Sequence, residues 1–296
     1  MSSLKKKTQA MDSGWKYYNH AMLPRCKPYE QADISIFSTK GLWKKPLWKD
    51  AYFAKWTTEY DCGVELPWYW VVCDTVFNYT TLKSKLRNEM KKAIDNFDVR
   101  IIEPENYVDE LYEVKRDALL SYPKSYRNVP TKEDFVKTIP TFKKPTFAAF
   151  CRSDGKLAGY INMVEREDII HYSGQHVIKD YERLYVNYAL IIKMLEHYRS
   201  KIESGAVIVD GERNINHITK HQDLLIKKFG FRKSYCKLNI KYRPIIRLVV
   251  KLLYPFRRII RRMDSVSMIH KINGVLLLEQ IAREQKHIEK RLKVLT

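Results

Sequence analysis

Asp210 closes a β-branched run, Val207-Ile208-Val209, and His217 follows seven positions later at the start of a helical pattern. A carboxylate at a strand end and an imidazole at a helix start can both face the crevice outside the carboxyl ends of sheet strands. Either can act as a general base, because imidazole titrates near neutrality and a carboxylate does so when burial raises its pKa. Each also has a plain structural reading, Asp210 as the turn residue before Gly211 and His217 as a polar helix-start residue bonded to backbone. His171 and Glu165, on the strands that precede, are further candidate bases. Ser173, Gln175, Asn187 and Asn216 could orient a sugar or a carbonyl by hydrogen bonding, with Tyr185 near them in the chain. No serine sits in a nucleophile turn, so a Ser/His/Asp triad is not indicated. Cys26, Cys62, Cys73, Cys151 and Cys236 show neither CxxC nor Cys/His ligand spacing. That pattern argues against a disulfide framework and a metal site, and for a reducing compartment.

The stretch Ala206 to Tyr242 must hold the first two candidates. It reads as a buried strand stopped by Asp210-Gly211, a polar loop, a helix carrying Ile218, Leu224, Leu225 and Phe229, a left-handed turn at Gly230, and an alternating strand from Tyr235 to Tyr242. Ahead of it, Thr146 to Cys151 and Leu157 to Val164 are apolar runs joined by a turn containing Asp154-Gly155, the signature of a hairpin. Ile169 to Val177 is a third strand and Tyr185 to Tyr198 a helix. Hairpin, strand, helix, strand, helix, strand is a mixed α/β plan with parallel crossovers. Further upstream the pattern predicts a strand at Trp68 to Cys73, a helix at Thr81 to Ile94, a strand at Val99 to Ile102 and a helix at Asn106 to Ser121. The aromatics between Trp43 and Trp70 read either as a stacking platform for bases or sugars or as a core packed with large rings, and the core is favoured.

Residues 145–243, with Lys227-Lys228-Phe229-Gly230-Phe231 as the most specific piece, resemble the GNAT N-acetyltransferase superfamily. The preceding half, with TLKSKLRNEMKKAIDNFDVRII, looks like the FemAB-like relatives, in which two GNAT-like halves share a chain. The resemblance implies an α/β (α+β) fold with a GNAT-like mixed central sheet and flanking helices. It divides the chain into residues 1–140, a degenerate GNAT-like half or substrate cap; 141–243, the acyltransferase domain; and 244–296, a basic helical tail. It implies acetyl-CoA or another acyl-CoA as co-substrate, no metal, and an amine acceptor such as a small-molecule or lipid-linked amino sugar of a bacterial surface-polysaccharide or cell-wall precursor. The segment that holds cofactor phosphates in that family corresponds to residues 176–183, which have no glycine pair. Gln175, His176, Lys179, Arg183 and Asn216 are the cofactor-binding candidates there, and Ser173, Tyr185 and Asn187 the substrate-binding ones. The position of the family's tyrosine acid is Leu225.

Charge suggests partners. The chain carries +20, from 54 Lys+Arg against 34 Asp+Glu, which calls for an anionic partner. In residues 244–263, Ile245, Val249, Leu252, Phe256, Ile259 and Met263 share one side of a helix, and Arg247, Lys251, Arg258 and Arg262 the other. That pattern suits an anionic membrane surface or ordinary helix packing equally. With no signal peptide and no membrane-spanning run in the sequence, the location expected is cytoplasmic, with peripheral attachment to the inner face of the membrane through this tail. Aminoacyl-tRNA is the alternative donor, and a catalytically inactive membrane or nucleic-acid binding module is a third reading.

Overall fold

The computed structural model describes residues 14–123, 127–142, 145–215, 220–263 and 267–295. In chain order, the first strands are β1 (Trp15–Tyr18), β2 (Ala21–Pro24), β3 (Phe53–Thr58) and β4 (Tyr69–Cys73). Helix α1 (Ser84–Asn96), β5 (Phe97–Ile102), α2 (Val108–Leu120) and the short α3 (Lys132–Val136) follow. Then come β6 (Thr146–Cys151), β7 (Leu157–Arg166), β8 (Ile169–Val177), α4 (Val186–His197), α5 (Arg199–Glu203), β9 (Val207–Glu212), α6 (His221–Lys228), β10 (Arg232–Tyr235) and β11 (Lys237–Tyr242). The chain closes with α7 (Pro244–Leu253), α8 (Arg257–Arg261) and α9 (Ser267–Leu295).

The expected class, a mixed α/β fold with flanking helices, is present as two mixed sheets, ordered β1-β2-β3-β11 and β10-β4-β9-β8-β7-β6-β5. Two compact units form, one from Val71–Gly211 and His217–Lys233, the other from Met1–Trp70, Glu212–Asn216 and Ser234–Thr296. The two units interleave along the sequence. The helices α1 and α2 lie in the larger unit because their apolar faces pack there: Met90 and Ala93 of α1, and Leu111, Val114 and Ala118 of α2, are buried.

In the larger unit β5, β6, β7 and β8 form an antiparallel run, and β9 joins β8 in parallel after the crossover through α4 and α5. The β6–β7 hairpin turns at Gly155, which takes φ +70. Gly159 is required by packing: a Cβ there would lie 2.7 Å from Val177 Cγ1, 3.0 Å from the His176 carbonyl and 3.2 Å from Leu190 Cδ1. The end of α6 is capped as its sequence predicts, with Gly230 at φ +74 and the N–H groups of Phe229 and Phe231 both donated to the Leu225 carbonyl.

In the smaller unit, Trp15, Trp48 and Trp68 are at most 1% exposed. Trp15, Phe37, Trp43, Trp48 and Trp56 pack edge-on and tilted with centroids 5.1–6.1 Å apart. These rings form a core, not an open platform, since large apolar side chains gain most by leaving water. Under the four-stranded sheet, Leu278 and Ile281 of α9 join Phe53, Trp68 and Leu238, and Gln285 Oε1 accepts the Leu238 N–H.

Two differences from the sequence expectation bear on the site and the sheets. Strand β9 does not stop at Asp210-Gly211; Gly211 takes φ +127, a conformation glycine adopts freely, and the strand runs on to Glu212. The alternating run from Tyr235 to Tyr242 is not one strand. It breaks at the buried Cys236, and β10 and β11 belong to different sheets.

Candidate active site

The site is built where β8 and β9 part. Their parallel pairing runs from Ile169↔Val207 to His171↔Val209 and stops, while β8 continues to Val177 along β7. The register between β7 and β8 also shifts, with Met163 opposite Tyr172 and Asn162 opposite Gly174, so Ser173 is the extra residue of a bulge. Without it, Tyr172 and Gln175 would point to opposite faces of the sheet. With it, they share one face, and the Tyr172 hydroxyl donates to Gln175 Oε1. Gln175 Nε2 in turn donates to Asn187 Oδ1, on the first turn of α4.

Asp210, next to Val209 on β9, presents its carboxylate to the same face. Its side chain is 10% exposed, Oδ2 accepts from Gln222 Nε2 at 2.9 Å, and Oδ1 lies 3.6 Å from His221 Nε2. The His221 ring packs against the Tyr172 ring with centroids 5.2 Å apart. Burial, with the Asp210 charge second, pushes the Tyr172 phenol well above its ordinary pKa, so it stays protonated at neutral pH. A carboxylate–imidazole pair beside a protonated phenol is thus gathered at the opening, with the Gln175–Asn187 bond tying β8 to α4 and the Gln222–Asp210 bond tying α6 to β9. This arrangement can take a proton on one side and give one on the other.

Of the residues singled out in the sequence, Asp210, Gln175 and Asn187 come together here. His217 and Asn216 lie outside the described residues. His171 pairs with Val164 and Val209, one strand position from Tyr172, and strand alternation turns it to the opposite face. Glu165, opposite Ile170 near the amino end of β8, accepts from the Tyr198 hydroxyl and pairs with Lys201. Burial raises its pKa, but those two partners outweigh it and the carboxyl ends below its ordinary value. Ser173 is exposed at the bulge.

His176 is on the face opposite Gln175, against the Tyr160 ring at 5.4 Å, and its buried Nδ1 makes no hydrogen bond. Burial first, and the Lys115 charge second, push its pKa down to about 4, so it carries no charge with which to hold a phosphate at neutral pH. Lys179 and Arg183 are exposed on a 3-10 turn, Lys179–Leu184, that also carries Asp180 and Glu182, so the charges cancel. The Lys179 N–H is donated to Asp117 Oδ2 at 2.9 Å. Tyr185 ends that turn at φ +67 and caps α4, its ring 5.2 Å from Tyr188. Leu225 is fully buried.

Sequence reading missed Tyr172, His221 and Gln222. Tyr172 was hidden inside an apolar strand run. His221 had a usable signal in the sequence alone, standing four positions after His217, the spacing of one helical turn. Among the described residues no group of three or more His, Cys, Asp or Glu could hold a metal ion.

No protein-family model matches the chain, and no curated protein does. Among solved structures, L-PGS from Bacillus licheniformis is similar at 14% identity over 81% of this chain and 83% of that one, with a TM-score of 0.48. The C-terminal domain (DUF2156) of a putative lysylphosphatidylglycerol synthetase from Agrobacterium fabrum is similar at 13% identity over 80% and 82%, with a TM-score of 0.44. The PaiA N-acetyltransferase from Thermoplasma acidophilum, in complex with coenzyme A, is similar at 16% identity over 50% of this chain and 99% of that one, with a TM-score of 0.33. At these values the likenesses decide neither donor nor acceptor.

Proposed function

We propose that this chain is an acyltransferase that moves an acyl group from a thioester of coenzyme A to an amine. The observation that carries the reading is the Asp210–His221 pair, 3.6 Å apart, beside the protonated Tyr172 at the parting of β8 and β9. An amine acceptor arrives as an ammonium ion, and His221, oriented by Asp210, takes its proton. The freed nitrogen attacks the carbonyl carbon, and negative charge moves to the carbonyl oxygen. The backbone at the Ser173 bulge, out of the ladder with β7, is the donor assigned to that oxygen. As the carbon–sulfur bond breaks, the Tyr172 phenol gives its proton to the departing thiolate and regains one from the attacking nitrogen, which leaves a neutral amide, a free thiol and the first proton on His221. Gln175 and Asn187 hold the phenol and the start of α4 in place.

A second reading, aminoacyl-tRNA as donor, is favoured by one feature. The turn Lys179–Leu184 has no glycine, gives its Lys179 N–H to Asp117, and sets Asp180 and Glu182 where a diphosphate would meet like charge. An ester of a ribose hydroxyl needs the same proton transfers without that cradle.

The donor is tested by thermal-shift titration of the full chain with acetyl-CoA and with aminoacyl-tRNA, followed by mass spectrometry of a panel of amines and amino sugars incubated with each. A stabilising shift and a product with one donor selects it. No shift and no product with either sinks both readings. His221→Ala and Tyr172→Phe are each expected to lower turnover with little change in melting temperature, and two fully active variants would remove the mechanism.

A further inference from the structure

The segment from Lys241 to Met263 holds eight Lys and Arg residues and no Asp or Glu. It also has two apolar faces, and among the described residues only one of them is covered. Val250 is buried, and Ile246, Leu253, Tyr254 and Ile260 are half-buried, on the side of α7 and α8 turned to α9. There Asn273 Nδ2 donates to the Ile260 carbonyl, and the Arg283 and Arg257 guanidinium groups lie 3.8 and 4.3 Å from the Tyr254 ring centre. The packing needs of the unit are met by that face.

The other face is open. Ile245, Leu248, Val249, Leu252, Phe256, Ile259 and Met263 are 42–61% exposed. At helical pitch these seven fall within an arc of about 100° despite the interruption at Pro255, so they make one stripe. Arg247, Lys251, Arg258, Arg261 and Arg262 are exposed along its flank. A continuous exposed apolar stripe of this size marks a binding surface.

We infer that this stripe docks on an anionic lipid bilayer, lying in the headgroup layer with its apolar side chains inward and its cations on lipid phosphates. Two observations select that occupant. Charge complementarity calls for an anionic surface, and a second copy of the same stripe in a two-fold contact would bring five cations against five more. Among the described residues no helix is long and apolar enough to cross a membrane, so the contact is a surface one. The inference stands whether or not the transfer reaction above is correct.

The experiment is sedimentation of the full chain with phosphatidylcholine vesicles, with and without phosphatidylglycerol. Pelleting is expected with the anionic vesicles alone. Leu252→Asp with Phe256→Asp, and separately Arg258→Glu with Arg262→Glu, are each expected to cut partitioning on the order of 100-fold while leaving the melting temperature unchanged. The milder pair Phe256→Ser with Ile259→Ser must move in the same direction. Light scattering on the wild type reads the competing occupants. A dimer that the Leu252/Phe256 variant dissolves, pelleting equal on neutral vesicles, or no loss in the three variants overturns the inference.

Discussion

A histidine held neutral by burial makes stability depend on pH, and His176 is the clearest case in this chain. Its pKa falls from 6.5 to about 4 in the folded protein, because charging it would strand an imidazolium against Tyr160 with Lys115 nearby. The unfolded chain therefore binds a proton that the folded chain refuses between those two values. Stability is full above the unfolded pKa and is lost as pH falls through 6.5 towards 4. Linkage gives a loss of about 2 kcal/mol by pH 5 and about 3 kcal/mol once both values are passed. For a unit of this size, 2 kcal/mol is about 4–8 °C in melting temperature. Other groups have to be separated. His197 is shifted down by burial as well and adds a slope of the same sign, while Glu165, held below its ordinary value by Lys201 and Tyr198 against the effect of burial, acts only below the usual carboxylate range. The variant His176→Phe removes the titration, keeps a ring against Tyr160 and discards an Nδ1 that bonds to nothing. Calorimetric melts of wild type and variant from pH 8 to pH 5 should start within a few degrees of one another. The variant should then gain about 4–8 °C on the wild type by pH 5. A gap that stays constant across that range refutes the burial argument, and with it the reason for removing His176 from the phosphate-binding set.

Other expectations follow from single contacts. Gly159→Ala forces a methyl against Val177, the His176 carbonyl and Leu190, and should cost about 1–3 kcal/mol in a urea titration. Trp48→Ala empties a site that is 1% exposed and should cost about 3–5 kcal/mol, with no specific loss of nucleic-acid or sugar binding. Asp210→Asn should lower turnover about 10²–10⁴-fold with the selected donor, because it weakens the group that orients His221. Glu165→Gln should leave turnover unchanged, since that carboxylate is engaged with Lys201 and Tyr198 away from the cluster.

Much of the fold was legible because local patterns and tertiary packing agree. The apolar runs from Thr146 to Val177 became β6, β7 and β8 within two residues of their expected ends, and Gly230 took the left-handed conformation its position called for. Trp48 and Trp68 are buried, as ring size favours. Asp210, Gln175 and Asn187, which their types and places at element ends single out, lie in one cluster in the structure, and their roles there are those proposed above. Residue type and periodicity, with the +20 charge and the segregated tail, were properties of the chain alone.

The tertiary structure decided which groups meet. The bulge at Ser173 cannot be read from HYSGQHV, since it exists only in the register between β7 and β8, yet it sets Tyr172 and Gln175 on one face and His176 on the other. The pairing of Asp210 with His221 depends on where α6 lies after a loop and on the early parting of β8 from β9. The same holds at the tail, where an amphipathic pattern alone left membrane binding and helix packing equal. Side-chain spacing defines a face, but only the surrounding atoms decide whether that face is covered; here α9 covers one and leaves seven apolar side chains exposed on the other.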